Sequence, residues 1–204
     1  MNSRLSVRVL IGLLLACLGT ALSPSSSRGD ERVPDDRIAL IFYKAIQYDA
    51  HLVERAAGEA RVLFVVVEQG SNERAEVLAE FFRETGRLAR ERDPHALGIH
   101  ATVLELESKH LEEELRTAHA VFLVSEETPA RQELLRLEAF SIRWQFPILG
   151  DDRELLDICA TVIVDPVTED GKSRPRMSIN LDRARAQGSR FNAKFLQLCD
   201  VTGR

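Results

Sequence analysis

The sequence predicts an α/β fold: a three-layer α/β/α sandwich with a mostly parallel sheet and a C-terminal antiparallel hairpin at one edge. Continuous apolar runs at 61–67 (RVLFVVV) and 119–125 (HAVFLVS) are typical of strands buried on both faces. Segments with helical spacing of apolar residues separate these runs, which indicates parallel strands joined by helices. Near the C-terminus, two further strand patterns flank the turn signal Asp170-Gly171, which predicts the hairpin.

The first element of the folded domain is predicted to be a helix that begins near Arg37. Ile38, Phe42 and Ile46 recur at helical spacing, and acidic residues at 35–36 precede them where a helix cap is expected. Strands and helices then alternate. The predicted order is strand 61–67, helix 72–91, strand 98–106, charged helix 109–118, strand 119–125, helix 130–144 and short strand 146–152.

The chain ends in more structure than a C-terminal tail usually keeps. Segments 159–166 and 175–181 are the predicted strands of the hairpin. Asn180 is placed to cap a short helix that starts at Leu181, and Gly188 is expected to end that helix in a left-handed conformation. A second helix should then fold back over the sheet, because apolar residues follow at i, i+4 and i+7: Phe191, Phe195 and Leu198.

The N-terminus has the pattern of a secretory signal peptide. Arg4 and Arg8 precede an apolar and small-residue run over 9–21. That run has about 13 residues, fewer than the roughly 20 that a membrane-spanning helix needs. We therefore expect export to the periplasm. The predicted organisation is a signal peptide (1–21), a flexible Ser/Pro-rich linker (22–36) and a single α/β domain (37–204).

Three cysteines each allow two interpretations. Cys17 follows LLA, which resembles the lipobox of bacterial lipoproteins, so it is either a lipidation site or part of a discarded signal peptide. Cys159 and Cys199 remain in the folded domain. In an oxidising compartment such a pair can form a disulfide, but both lie in apolar runs that would be buried in any case.

Composition and charge argue against a nucleic-acid partner. The formal net charge is −5 at neutral pH, and no stripe of Lys and Arg with interleaved aromatic residues occurs. Binding to nucleic acid depends on neutralising phosphates with such a stripe. We therefore expect no nucleic-acid partner.

The sequence contains no recognisable active site. Gly-Lys-Ser at 171–173 lacks the glycine of a phosphate-binding loop, because Pro166 occupies that position. Asp151 and Asp152 follow a predicted strand, and a helix cap explains them better than a cation site does. No Gly-x-Ser-x-Gly or Ser/His/Asp arrangement is present, and Cys199 lies on an apolar helix side. We predict no enzymatic activity, no cofactor and no metal. The histidines are not at metal-ligand spacing: His51, His95, His100, His110 and His119.

The two ends of the domain resemble the YfiR-like periplasmic family. The segment FYKAIQY (42–48) is similar to the family's first-helix pattern F-x-K-F-x-x-W-P, with Phe42, Lys44 and Tyr48 at the matching positions. The tail 176–198 is similar to the family's ending. Its matching positions are Ile179, Asn180, Leu181, Ala184, Gly188, Phe195, Leu196 and Leu198.

This resemblance implies an exported regulatory protein without catalytic activity. Relatives of this kind bind the periplasmic part of a membrane signalling protein, a diguanylate cyclase or a histidine kinase, and modulate its activity. Such a regulator works by preferring one of two states of its partner. The chain departs from the family pattern at Tyr48-Asp49, where Trp-Pro is usual, and at Cys199, where a small residue is usual.

Two alternative functions fit the same sequence. A periplasmic small-ligand receptor would use a cleft at the strand ends near Glu68–Gly70 and Ser125. An exported hydrolase would need a site assembled from residues that are remote in sequence. The sequence also leaves open whether the domain forms a homodimer.

Overall fold

The computed structural model describes residues 32–66, 72–124, 130–169 and 172–203, and the folded unit spans Val33–Arg204. The described residues form eight helices. These are α1 (Asp35–Tyr48), α2 (Ala50–Ala56), α3 (Asn72–Arg92), α4 (Leu111–Leu115), α5 (Arg131–Trp144), α6 (Arg153–Ile158), α7 (Leu181–Ala186) and α8 (Ala193–Leu196). Seven strands are also present in these ranges. They are β1 (Glu59–Val66), β2 (Gly98–Glu105), β3 (Ala120–Val124), β4 (Ile148–Gly150), β5 (Val162–Glu169), β6 (Lys172–Asn180) and β7 (Asp200–Thr202).

All of these strands belong to one sheet of order β2-β1-β3-β4-β5-β6-β7. Strands β1 to β5 are parallel, β6 pairs antiparallel with β5, and β7 pairs parallel with β6. Apolar clusters cover both faces of the sheet. The predicted fold class, a three-layer sandwich with a mostly parallel sheet, is confirmed.

The continuous apolar runs are explained by burial on both faces. Alternate residues of β1 point to opposite sides, so Phe64 joins the cluster under α1 and α3, whereas Leu63 joins the cluster under α4, α5 and α6. Aromatic rings fill the first cluster. The ring of Phe64 lies 5.1 Å from Phe82 and 5.5 Å from Phe122, measured between centroids, and Phe42 lies 5.2 Å from Phe122. These edge-on and stacked contacts fix α1 and α3 on the sheet.

The tail differs from the prediction in two respects. The antiparallel hairpin lies at one edge of the sheet, as predicted, but a short strand that was not predicted, β7, pairs with the last three residues of β6. The second tail helix is also shorter than predicted: α8 ends at Leu196, and Leu198 is 65% exposed. The backbone beyond α8 pairs with β6, where Val201 lies opposite Ile179, and this pairing satisfies backbone groups of an otherwise open strand.

The disulfide between Cys159 and Cys199 is not formed. Both cysteines are free thiols, and they contact the apolar clusters on opposite faces of the sheet. Burial raises the pKa of Cys159 to about 12 and that of Cys199 to about 11, so both stay protonated at neutral pH. Of the two interpretations that the sequence allowed, the structure supports the one in which both residues contribute to the core.

The predicted start of the domain at Arg37 is slightly late. Val33 is 5% exposed and α1 already begins at Asp35, so the end of the predicted linker belongs to the fold. The predicted signal peptide and Cys17 lie outside the described residues. Within the described ranges, no helix has the length and apolar character needed to cross a membrane.

Candidate binding cleft

An open cleft of about 750 Å³ lies between α1, the connection from α3 to β2, and the C-terminal tail. Three residues on the outer side of α1 form one wall: Ile41, Lys44 and Tyr48. They are spaced at i, i+3 and i+7, so they lie on one helical face, while the opposite face is buried in the core. One face of helix α1 therefore packs in the core, and the other face lines the cleft.

The second wall is the connection between α3 and β2. The hydroxyl of Tyr43 donates a hydrogen bond to the carbonyl oxygen of Leu97 at 2.8 Å, and the amide Nε2 of Gln47 donates to the same hydroxyl at 2.9 Å. Burial raises the pKa of Tyr43, so this hydroxyl keeps its proton. At the tip of the connection, Oδ1 of Asp93 accepts from the backbone N–H of His95 at 2.9 Å. The hydrogen bond between Tyr43 and Leu97 thus joins the connection to α1, and the other two bonds order each side of this contact.

Two aromatic side chains from the two ends of the domain, Tyr48 and Phe195, belong to the apolar lining of the cleft. Phe195 is fully buried, and its ring lies 5.6 Å from Tyr48 and 4.9 Å from Phe191 between centroids. Asn192 caps α8, since its Oδ1 accepts from the backbone N–H of Phe195 at 2.9 Å. Leu198 also lines the cleft and is largely exposed.

Asp49 joins the first two helices to the tail. Its side chain is buried, with 1% of the residue exposed, and Oδ1 accepts hydrogen bonds from three backbone N–H groups. Two of these donors, His51 at 3.1 Å and Leu52 at 3.2 Å, belong to the first turn of α2. The third is Arg190 of the tail, at 2.9 Å. We refer to this arrangement as the Asp49 staple. The sequence analysis missed it, although an aspartate directly before a helical segment is a cap signal.

Polar groups surround this aromatic surface. Lys44, Gln47, Asp93 and His95 all line the cleft, and Lys44 is exposed. A lysine ammonium can pair with an anionic group, while Tyr48 and the neighbouring apolar side chains can pack against a flat apolar one. The arrangement is suited to binding a small amphipathic molecule.

Most of the family-motif residues have structural roles. The Asn180 side chain caps α7 by accepting from the backbone N–H of Arg183 at 3.2 Å, and Gly188 has a positive φ of 79°, so both predictions for this turn are confirmed. The remaining motif residues divide between the cleft and the interior. Lys44, Tyr48, Phe195 and Leu198 line the cleft, Phe42, Ile179 and Ala184 are buried, and Leu181 and Leu196 pack half-buried against the core.

The other candidate positions lie elsewhere. The Asp152 side chain caps α6 by accepting from the N–H of Glu154 at 2.9 Å, as predicted. Asp151 instead forms an ion pair with Arg74, which also pairs with Asp35 at 3.1 Å. Burial alone would lower the pKa of Arg74, but the two carboxylates raise it. The predicted receptor site at 68–70 and 125 lies outside the described residues.

The histidines are not assembled into a metal site. The Nδ1 of His51 lies 2.6 Å from the carbonyl oxygen of Gly188, and the Nδ1 of His119 accepts from the N–H of Arg61 at 2.9 Å. Burial lowers the pKa of His119, so its ring is neutral and can accept this bond. Across the part of the chain that the structure describes, no group of three or more His, Cys, Asp or Glu side chains is placed to hold a metal ion.

Comparison with solved structures shows a shared fold. The ABC domain in complex with L-Trp from Streptococcus pneumonia is similar over 78% of this chain, with a TM-score of 0.52 and 10% identity. A conserved domain protein from Vibrio cholerae O1 biovar eltor is similar over 83% of this chain, with a TM-score of 0.53 and 9% identity. The similar regions cover 59% and 60% of those two chains, so this chain corresponds to less than two thirds of either. No protein-family model and no curated protein matches the sequence.

Proposed function

We propose that the domain is a non-catalytic receptor for a small organic molecule that has a flat apolar body and an anionic group. The observation that carries this proposal is the 750 Å³ cleft, which is lined by Lys44 together with Tyr48 and Leu198. Ligand sites are typically concave and mostly apolar, with a few polar groups that fix the orientation of the ligand. The volume is within the range that such sites have.

The similar fold of the ABC domain supports the ligand class. That domain was crystallised in complex with L-Trp, an amphipathic molecule with an aromatic body and a carboxylate. In this chain, an indole-sized ring would pack between Tyr48 and Leu198, and its carboxylate would pair with Lys44. The ligand site proposed here is thus a different one from the site at 68–70 and 125 that the sequence predicted, which lies outside the described residues.

Calorimetry and thermal denaturation with L-Trp and indole-3-acetate as probes test the proposal. A ligand present at 100 times its dissociation constant stabilises the folded state by about 2.7 kcal/mol. We expect Lys44→Met to weaken binding at least about tenfold, which corresponds to ~1.4 kcal/mol. Lys109→Met is the matched control, because Lys109 is an exposed lysine outside the cleft. If Lys44→Met and Tyr48→Ala leave the affinity for the probe unchanged, the ligand binds outside this cleft.

A second function follows from the exposed Leu198 and from the YfiR-like pattern. We propose that the rim of the cleft contacts the periplasmic part of a membrane-bound sensor cyclase or kinase after export of the domain. An exposed leucine beside an aromatic cleft suits a protein contact, since the buried core of an interface is more apolar than the rest of a protein surface. Pull-down from solubilised membranes should recover the partner with the natural protein and lose it with Leu198→Asp. If both proteins recover the same partner equally, Leu198 is not part of the contact.

A further inference from the structure

The side chains that line the cleft carry both signs of charge. Among the described residues of the lining, Lys44 is the cation and Asp93 is the acid. With a neutral His95, the formal charges of these side chains cancel. A ligand that has an anionic group alone can pair with Lys44, but it also brings its charge into the same cleft as the carboxylate of Asp93. A ligand with both charges is therefore the better electrostatic match.

A chain of hydrogen bonds fixes the orientation of the Gln47 amide. The hydroxyl of Tyr43 has one proton, which it donates to the carbonyl oxygen of Leu97 at 2.8 Å. Its oxygen can then only accept, so the group of Gln47 that lies 2.9 Å away is the NH2 group, Nε2. The amide oxygen Oε1 consequently points away from Tyr43, and no described residue donates a hydrogen bond to it. Gln47 thus adds a hydrogen-bond acceptor to the cleft that it lines.

The carboxylate of Asp93 acts on the same part of the cleft. Burial is the main cause of the raised pKa of Tyr43, and the negative charge of Asp93 adds to it, which places this carboxylate within electrostatic range of the hydroxyl. Its Oδ1 accepts from the N–H of His95, and a carboxylate can accept several further bonds. Arg90 is also near, but its guanidinium donates to two backbone carbonyl oxygens and, within the described residues, forms no ion pair with Asp93.

We propose, on the basis of the receptor function proposed for this cleft, that Gln47 and Asp93 form a subsite for a protonated amine. The cleft then selects a zwitterionic amino acid with a flat apolar side chain. The ammonium group donates to Oε1 of Gln47 and to the carboxylate of Asp93, while the carboxylate of the ligand pairs with Lys44. An ammonium group has three donors and no acceptor, so it matches two neighbouring acceptors.

The fixed orientation of Gln47 makes this subsite selective. An amide that is free to turn can offer its NH2 group to an anion as readily as its oxygen to a cation. Because Tyr43 accepts from Nε2 and is itself bound to Leu97, the oxygen is the end that remains available. Groups that are ordered before the ligand arrives bind it without a further entropy cost. Gln47 is therefore a specificity-determining residue, and Tyr43 is a positioning residue that acts through it.

Calorimetry with two related probes tests the proposal. The probes are L-Trp and indole-3-propionate, which has the same ring and carboxylate but lacks the ammonium group. We expect L-Trp to bind the natural protein at least about tenfold more tightly, as is usual for hydrogen bonds to a charged group. If both probes bind with equal affinity, the amine subsite is wrong, although the receptor function stands. If neither probe binds, the receptor function fails and the subsite fails with it.

Two variants locate the subsite. Asp93→Asn removes the charge but keeps an oxygen for the N–H of His95, and Gln47→Met removes the acceptor but keeps a side chain of similar length. Each should weaken the binding of L-Trp about tenfold and change that of indole-3-propionate by less than about twofold. Asp36→Asn is the matched control, because Asp36 is exposed on α1 outside the cleft and the net charge changes equally.

The readout is the ratio of the two dissociation constants in each variant. A general disturbance of the cleft weakens both probes alike and leaves this ratio unchanged, whereas loss of an amine contact lowers the preference for L-Trp. An unchanged ratio in both Asp93→Asn and Gln47→Met would overturn the proposal. An equal loss of preference in Asp36→Asn would overturn it as well, because the effect would then be one of net charge.

Discussion

The Asp49 staple predicts that Asp49→Ala will be among the most destabilising single changes in the chain. The substitution removes the acceptor for two N–H groups of the first turn of α2, and loss of such a cap costs about 0.5–2 kcal/mol. It also leaves the part-buried N–H of Arg190 without its carboxylate partner, at a further cost of about 1–3 kcal/mol. The expected loss in the free energy of unfolding is therefore about 1.5–5 kcal/mol.

Urea denaturation followed by circular dichroism measures this loss. Asp152→Ala is the matched control, because Asp152 also caps a helix, but its neighbourhood is more exposed and the bond stays within α6. We expect this control to lose about 1 kcal/mol. If the two variants are destabilised by the same amount, the contact between Asp49 and the tail contributes nothing, and the reasoning is wrong.

Three further predictions concern single sites. Gly188→Val should lower the free energy of unfolding by about 1–3 kcal/mol, because φ is +79° and a Cβ would meet the side chain of Gln145; an unchanged melting temperature would contradict this. Thiol titration of the unfolded, unreduced protein should find both Cys159 and Cys199 reactive. In the folded protein both thiols should react slowly, because their pKa values are raised. If neither thiol reacts in the unfolded, unreduced protein, the two cysteines form a disulfide after all. Burial raises the pKa of Asp165, so the folded state holds this proton more tightly than the unfolded state, and its ionisation costs stability as the pH rises through that pKa. Asp165→Asn should therefore gain stability relative to the natural protein as the pH rises above about 4, the ordinary range of a carboxyl pKa, and a difference that does not change with pH would refute this.

The sequence predicted the central layers of the fold because local pattern and global packing agree there. Segments 62–67 and 120–124 are apolar at every position, a pattern typical of strands that are covered on both faces. The structure places them in β1 and β3, which pair in the interior of the sheet. Asn180 and Gly188 were also predicted correctly, because a cap and a left-handed turn are determined by the residue itself.

The cleft could not be predicted in the same way. Its walls come from α1, from the segment before β2 and from the tail, and no periodicity relates positions so far apart. The pattern of the tail was misleading as well, since Leu198 continues the helical spacing of Phe191 and Phe195 but lies beyond the end of α8. Pairing of β7 with the open strand β6 is a tertiary effect, and it overrides a helical pattern of only a few residues.

The Asp49 staple also sets an order for folding during synthesis, because it joins an early segment of the chain to a late one. Asp49 and Arg190 are 141 residues apart. At a synthesis rate of ~5–20 residues per second, the synthesis of Arg190 follows that of Asp49 by a time on the order of 10 s. During that interval α1 and α2 have no tail to bury their junction. Closure of the junction between α1 and α2 therefore depends on a segment that is made late, and a nascent chain that stops before Arg190 lacks this contact.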